Sequence, residues 1–181
     1  MISIKNIAYG VVLGSLIGVT SGVLYHCTYN YGSVPAARES AQEIYKRLSL
    51  KTGAYVPPVI VADDPTINAW YDGSSVTITT GLLNAAKNDD EVAMVLAHEI
   101  AHALMDHTNE GMKQDSRYAE ANADRMGAFI MLNAGYDICK GRALFLIFLN
   151  NYGEDPTEPT HPGDTYRYNL LSAPWCSQIG D

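Results

Sequence analysis

Runs of lysine or arginine are absent from this chain of 181 residues, which carries a formal net charge of −8. Nucleic-acid-binding proteins usually present a basic patch that attracts phosphate, so we exclude nucleic acid as a partner. Internal repeats and low-complexity tracts are also missing. Charged residues make up only 18% of the sequence and apolar residues 47%, so the chain can bury a core and is not of the disordered type.

Cysteine is scarce, and no pair of cysteines has the CxxC spacing of a zinc knuckle. Cys27, Cys139 and Cys176 are therefore not obvious metal ligands. In an oxidising compartment Cys139 and Cys176 can form a disulfide, which would leave Cys27 unpaired. A free or buried thiol is an equally good interpretation of each cysteine, so the pairing stays open at this point.

Charged residues are absent from residues 7–25, and a helix of that length nearly spans the core of a bilayer. We predict that residues 1–30 are an N-terminal membrane anchor or signal segment. Residues 31–181 then form one globular domain of roughly 150 residues.

The topology of this segment follows from its charges. Lys5 and the amino terminus favour the cytoplasmic side, so a single-pass anchor would place the domain outside the cytoplasm, in the periplasm. The alternative is a cleaved signal peptide and a secreted domain. Glycines recur at every fourth position and form a stripe suited to self-association: Gly10, Gly14, Gly18 and Gly22.

The remaining sequence predicts a mixture of helices and short strands. We expect an amphipathic helix over 34–50, strands over 59–61, 67–71 and 75–80, helices over 88 to about 107, 118–132 and 141–150, and a loop over 153–165. Asp72 and Gly73 favour a tight hairpin turn between the second and third strands.

The strongest chemical signal is the pair His98 and His102, which lie about 40° apart on one helix face and can bind the same ion. A zinc site with three protein ligands acidifies its bound water, and Glu99 can accept the proton of that water as a general base. The alternative is a buried helix whose histidines are satisfied by hydrogen bonds. Because the surrounding residues are apolar, burying His, Glu and His without partners would be costly, and a metal removes that cost.

A third ligand is expected on the next helix, where Glu120 and Asp124 are four residues apart on one face. We predict Glu120 as the ligand and Asp124 as the acceptor for the free ring N–H of a ligand histidine. A helix cap or a surface charge is the alternative for Asp124. His107 comes one residue too early for the HExxHxxGxxH pattern, so we interpret it as a structural or surface residue.

A resemblance to a known family extends beyond these residues. The chain carries, in order, the segments 68–70, 80–83, 91–102, 120–124 with Gly127, 134–137, and 160–162 with Arg167. In this combination it resembles the HtpX and CAAX-prenyl-protease type of zinc peptidase, a gluzincin family with HExxH and ExxxD motifs. The resemblance implies an α+β fold in which a small, mostly antiparallel sheet packs on the active-site helix with further helices. It also implies that an edge strand, Val76 to Thr79, binds the substrate as an added strand.

The function implied is that of an endopeptidase with one zinc ion per chain, in which Glu99 activates a zinc-bound water to cleave unfolded or membrane-associated proteins. His161 in the proline-rich loop is a candidate fourth ligand or transition-state donor. Arg167 is expected to support that loop or the oxyanion, with a surface salt bridge as the alternative. Two rival functions are a zinc-binding but catalytically latent module that recognises misfolded proteins, and a structural membrane protein without metal.

Overall fold

The computed structural model describes residues 39–105, 116–153, 163–172 and Cys176. Within these residues the chain forms, in order, α1 (Ala41–Ser49), β1 (Val59–Ala62), β2 (Ala69–Tyr71), β3 (Val76–Thr79), α2 (Thr80–Ala85), α3 (Asp89–Leu104), α4 (Ser116–Ala134), α5 (Ile138–Gly141), α6 (Leu144–Tyr152) and α7 (Asp164–Leu170). The fold is therefore a mixed α+β arrangement, as predicted.

Helix α1 begins with a capping box. The side chain of Ser40 accepts from the N–H of Glu43, while the Glu43 carboxylate accepts from the N–H of Ser40. The apolar face predicted from the sequence is buried against the core: Ala41, Ile44, Tyr45 and Leu48.

The sheet has the order β1-β3-β2, with β1 parallel and β2 antiparallel to β3. The predicted hairpin at Asp72 and Gly73 is present, since Asp72 accepts from the N–H groups of Ser74 and Ser75 and Gly73 takes a φ of 94°. The prediction of a mostly antiparallel sheet is wrong, because β1 pairs in parallel with β3.

The predicted edge strand is also corrected. Strand β3 lies in the centre of the sheet, all four of its residues are buried, and both of its edges are paired. It therefore cannot accept a substrate as an added strand. The edges of the sheet are β1 and β2, and of these β2 packs more extensively against α3.

Helix α3 occupies the centre of the fold and contacts α1, α4, α5, α6, β2 and β3. It begins as predicted, because the side chain of Asn88 accepts from the N–H of Glu91 at 2.9 Å. Every residue from Glu91 to His102 is buried. The helix ends at Leu104, and His107 lies outside the described residues.

Later helices differ from the predictions in two places. The predicted helix over 141–150 corresponds to α6, which begins three residues later, and the short helix α5 before it was not predicted. Helix α7 begins at Asp164, inside the predicted loop. Helix α4 matches its prediction and stops before Gly135, which takes a φ of 82°.

Cys139 and Cys176 form a disulfide with a Cα–Cα distance of 5.4 Å, so the pairing that the sequence left open is made. None of the helices in the described part of the chain is long and apolar enough to cross a membrane. The predicted anchor over residues 1–30 lies outside that part, and the predicted division into two regions stays a prediction.

Replacing both cysteines, Cys139→Ser with Cys176→Ser, should lower the free energy of unfolding by about 4 kcal/mol, because the disulfide closes a long loop in the unfolded chain. The two residues are 37 positions apart. Urea unfolding of the parent and the variant measures the difference. The single change Cys27→Ser is the control and should leave stability unchanged. Equal stability of the double variant would show that the disulfide contributes nothing.

Candidate metal centre

Three side chains from two helices bring their ligand atoms together in the core. The Nε2 atoms of His98 and His102 lie 3.0 Å apart. The carboxylate of Glu120 reaches both rings, with Oε2 at 3.2 Å from the Nε2 of His98 and Oε1 at 3.2 Å from the Nε2 of His102. All three residues are buried. The structure thus gathers the three predicted ligands at one point.

This spacing fits a zinc ion. At a Zn–N distance of about 2.0–2.1 Å, the ligand atoms of a tetrahedral site are separated by about 3.3 Å. Two imidazoles and one carboxylate are also a known ligand set for catalytic zinc. Among the described residues, these three form the group of histidine, cysteine and carboxylate side chains able to hold a metal.

Asp124 lies one helical turn after Glu120 and is fully buried. Its Oδ1 atom is 2.9 Å from the Nδ1 of His98. An N–H on Nδ1 can therefore donate to Asp124, which leaves Nε2 to face His102 and Glu120. The alternative of a cap or surface charge for Asp124 is wrong, because the carboxylate is enclosed by the core.

Arg167 from α7 completes the surroundings of His98. Its guanidinium bonds Asp124 through two nitrogens, with Nε at 2.9 Å from Oδ2 and Nη2 at 2.7 Å from Oδ1. The same Nη2 lies 3.2 Å from the Nδ1 of His98, and the guanidinium carbon stands 4.5 Å from the centroid of the Phe145 ring. Arg167 is only 8% exposed, so the surface salt bridge considered from the sequence does not occur.

The charges of these groups shift one another's pKa values. Burial and the Arg167 guanidinium lower the pKa of His98, but hydrogen bonds to Asp124 and Glu120 outweigh them and raise it to about 10. Burial raises the pKa of Asp124, whereas Arg167 and His98 together hold it well below its usual range. The two carboxylates thus favour positive charge on the imidazole ring, and a divalent ion held at Nε2 would supply positive charge at the same place.

Close contact between α3 and α4 sets the distance between the two histidines on α3 and Glu120 on α4. A Cβ built on Gly127 would lie 3.0 Å from the backbone nitrogen of His98 and 3.1 Å from the carbonyl carbon of Ala97. Glycine is therefore needed where the helices cross. Gly127 belongs to a segment that carries the family resemblance, but the sequence does not reveal which backbone the glycine meets.

The remaining predicted site residues differ in how they are placed. Glu99 is buried on α3 directly after His98, and its role as general base stays a prediction. His161 lies outside the described residues. Phe145, which supports Arg167, was not identified from the sequence, because an apolar residue in a hydrophobic helix carries no signal of such a contact.

Residues 35–116 match the model of peptidase family M48. The mitochondrial metalloendopeptidase OMA1 of Arabidopsis thaliana is 30% identical over 111 residues, covering 44% of this chain and 23% of that protein. A protease HtpX homolog of Streptococcus pyogenes serotype M3 (strain SSI-1) is 32% identical over 113 residues, covering 55% of this chain and 38% of that protein. The chain thus spans less than two fifths of the length of these relatives.

These matches confirm the predicted resemblance to HtpX-type zinc metallopeptidases. The family match contains His98, Glu99 and His102 but ends before Glu120. The grouping of Glu120 and Asp124 with the two histidines therefore rests on the geometry described above.

Replacing Gly127 by alanine should lower both stability and zinc affinity. Helix propensity alone favours alanine by about 1 kcal/mol, but the added methyl group meets rigid backbone of α3, and overpacking of this kind costs roughly 1–3 kcal/mol. Urea unfolding and competition with a zinc chelator measure the two effects. Asn133→Ala, an exposed position of the same helix, is the control. A more stable Gly127→Ala variant with unchanged zinc affinity would contradict this account.

Replacing Arg167 by glutamine should cost roughly 3–5 kcal/mol of stability, because Asp124 would keep a buried charge without its partner. Zinc affinity should fall roughly 10- to 100-fold as His98 loses its support. The matched control is Arg142→Gln, since Arg142 also packs on an aromatic ring, that of Tyr168, but does not touch the site. Loss of zinc affinity in the control as well would show that the effect is not specific to Arg167.

Proposed function

We propose that this chain, an M48-type metallopeptidase by its sequence relationship, is a zinc-dependent endopeptidase that cleaves unfolded or membrane-associated proteins. The observation that carries the proposal is the convergence of His98, His102 and Glu120, three buried residues whose ligand atoms lie 3.0–3.2 Å apart. Because both relatives are much longer than this chain, its activity and substrates are proposed from its own site.

The residues of the site have distinct roles in this proposal. The Nε2 atoms of the two histidines and the Glu120 carboxylate hold the ion, and Asp124 fixes the orientation of His98. When bound, zinc would lower the pKa of a coordinated water and polarise the substrate carbonyl. A carboxylate oxygen of Glu99 accepts the proton of the attacking water and delivers it to the nitrogen of the leaving amine.

Strand β2 takes the place of β3 as the proposed binding edge. Ala69 and Tyr71 are half-buried against the core beneath the sheet, and β2 contacts α3, which carries the two histidines. A peptide added to this edge would be bound mainly through its backbone. Only an extended chain can pair in this way, which favours unfolded segments as substrates.

Location follows from two features that support each other. The disulfide between Cys139 and Cys176 fits an oxidising compartment, and the charge pattern of residues 1–30 favours a domain outside the cytoplasm. We therefore propose a single-pass membrane protein with a periplasmic domain, which pairs with a second copy through its glycine stripe. Secretion after signal cleavage is the alternative.

A latent zinc-binding module that recognises misfolded proteins is the second candidate. His161 precedes α7 by three residues, and α7 carries Arg167 into the site. This proximity in sequence favours His161 as a fourth ligand in a resting state. In that case zinc would be bound tightly and cleavage would be slow.

The change Glu99→Gln should abolish cleavage of casein, because an amide side chain cannot accept the proton of the attacking water. One zinc ion should still be bound per chain, because residue 99 is not one of the three proposed ligands. The full chain is purified in detergent. Its zinc content is measured by elemental mass spectrometry and casein cleavage by gel electrophoresis. Asp63→Asn, an exposed carboxylate replaced in the same way, is the control and should cleave like the parent.

The remaining outcomes separate the candidates. Zinc in both proteins with cleavage by neither would favour the latent module, and His161→Ala should then restore activity. Equal cleavage by parent and Glu99→Gln would exclude Glu99 as the base. Absence of zinc from both would exclude the metal site altogether.

A further inference from the structure

The outer edge of β2 begins before the strand itself. Asn68 and Asp72 turn their backbone groups toward β3, since the N–H of Thr79 donates to the carbonyl of Asn68 and the N–H of Asp72 donates to the carbonyl of Ser75. Because these directions alternate along an extended chain, Ile67 and Ala69 point their N–H and C=O groups away from β3. Two successive pairing positions thus lie on this edge.

The first of these positions is bonded to a side chain from a distant part of the sequence. The hydroxyl of Tyr152 accepts from the N–H of Ile67 at 3.1 Å and donates to the carbonyl of the same residue at 3.2 Å. These are the two groups that a neighbouring strand would use. Tyr152 is 63% exposed, so little apolar contact holds its ring there.

Tyr152 is also tied to the metal centre through its helix. It is the last residue of α6, and Phe145 near the start of the same helix packs beneath Arg167. Phe145 and Tyr152 are seven positions apart, which corresponds to about 10 Å along the helix axis. The contact with Ile67 therefore lies about two helical turns from a residue that touches the site.

We propose that Tyr152 ends the substrate-binding edge and thereby sets how many residues of a peptide are bound on one side of the cleavage site. This inference rests on the proposed function. A substrate would pair with Ala69, whereas the position of Ile67 is taken by the hydroxyl of Tyr152. Tyr152 is accordingly a specificity-determining residue for substrate length. It acts by limiting the backbone hydrogen bonds that a peptide can form with the edge, and not by contacting the side chains of the peptide.

The test uses a peptide cleaved by the parent chain and lengthened two residues at a time, at each end separately. In the parent, kcat/KM should change less than twofold once the peptide covers Ala69. In Tyr152→Ala, two further residues at one end should raise kcat/KM about threefold to tenfold, because backbone hydrogen bonds to Ile67 become possible. Extension at the other end should have the same effect in both proteins.

Tyr55→Ala is the matched control, since Tyr55 is 85% exposed and lies away from this edge in the loop after α1. It should show the length dependence of the parent. Urea unfolding of each variant shows whether it is folded at the assay temperature. The proposal would be overturned if kcat/KM depended on peptide length in the same way in Tyr152→Ala and in the parent. It would also be overturned if kcat/KM of the parent continued to rise as the peptide was lengthened at both ends.

Binding of the same peptides, labelled with a fluorophore, to the Glu99→Gln form with and without Tyr152→Ala gives a second readout that needs no cleavage. Affinity should rise threefold to tenfold with the extension in the Tyr152→Ala background alone. If no peptide is cleaved but this pattern of binding is found, the proposed peptidase activity fails and the role of Tyr152 stands. If cleavage occurs and affinities do not differ, the role of Tyr152 fails alone.

Discussion

The buried ion pair between Arg167 and Asp124 connects the parts of this protein that must meet at the metal centre. It joins α7 to α4, and through Asp124 it reaches the Nδ1 of His98 on α3. Two opposite charges can be kept in a core only when their hydrogen-bonding groups are largely satisfied, and here two nitrogens of the guanidinium bond two oxygens of the carboxylate. The orientation of the His98 ring depends on this pair.

Helix packing provides the second constraint. Helix α3 is buried over nearly its whole length, so His98, His102 and Glu99 are each no more than 8% exposed and depend mainly on partners within the protein or on a bound ion. Gly127 lets α4 approach until Glu120 reaches both imidazole rings. In the proposed function, an ion held by His98, His102 and Glu120 would satisfy this polar cluster and would account for its presence in an otherwise apolar core.

Prediction from the sequence succeeded where the information is local. The His-Glu-Ile-Ala-His spacing places two ligands on one helix face, and Asn88 with Glu91 marks the start of that helix. It failed for β3, because hydrophobic content shows that a strand is buried but does not show which strands lie beside it. The parallel pairing of β1 places β3 in the centre of the sheet, and that pairing joins residues far apart along the chain.

The sequence by itself determined the two histidines, the adjacent Glu99 and the pair Glu120 and Asp124, because helical periodicity fixes which side chains share a face. It also showed that Cys139 and Cys176 were available to pair. Only the tertiary structure decided that Arg167 is buried against Asp124, that Phe145 supports it, and that Tyr152 bonds the edge at Ile67. These contacts depend on how α6 and α7 return to the sheet and to α4, and no local pattern of residues encodes the path of a chain between distant elements.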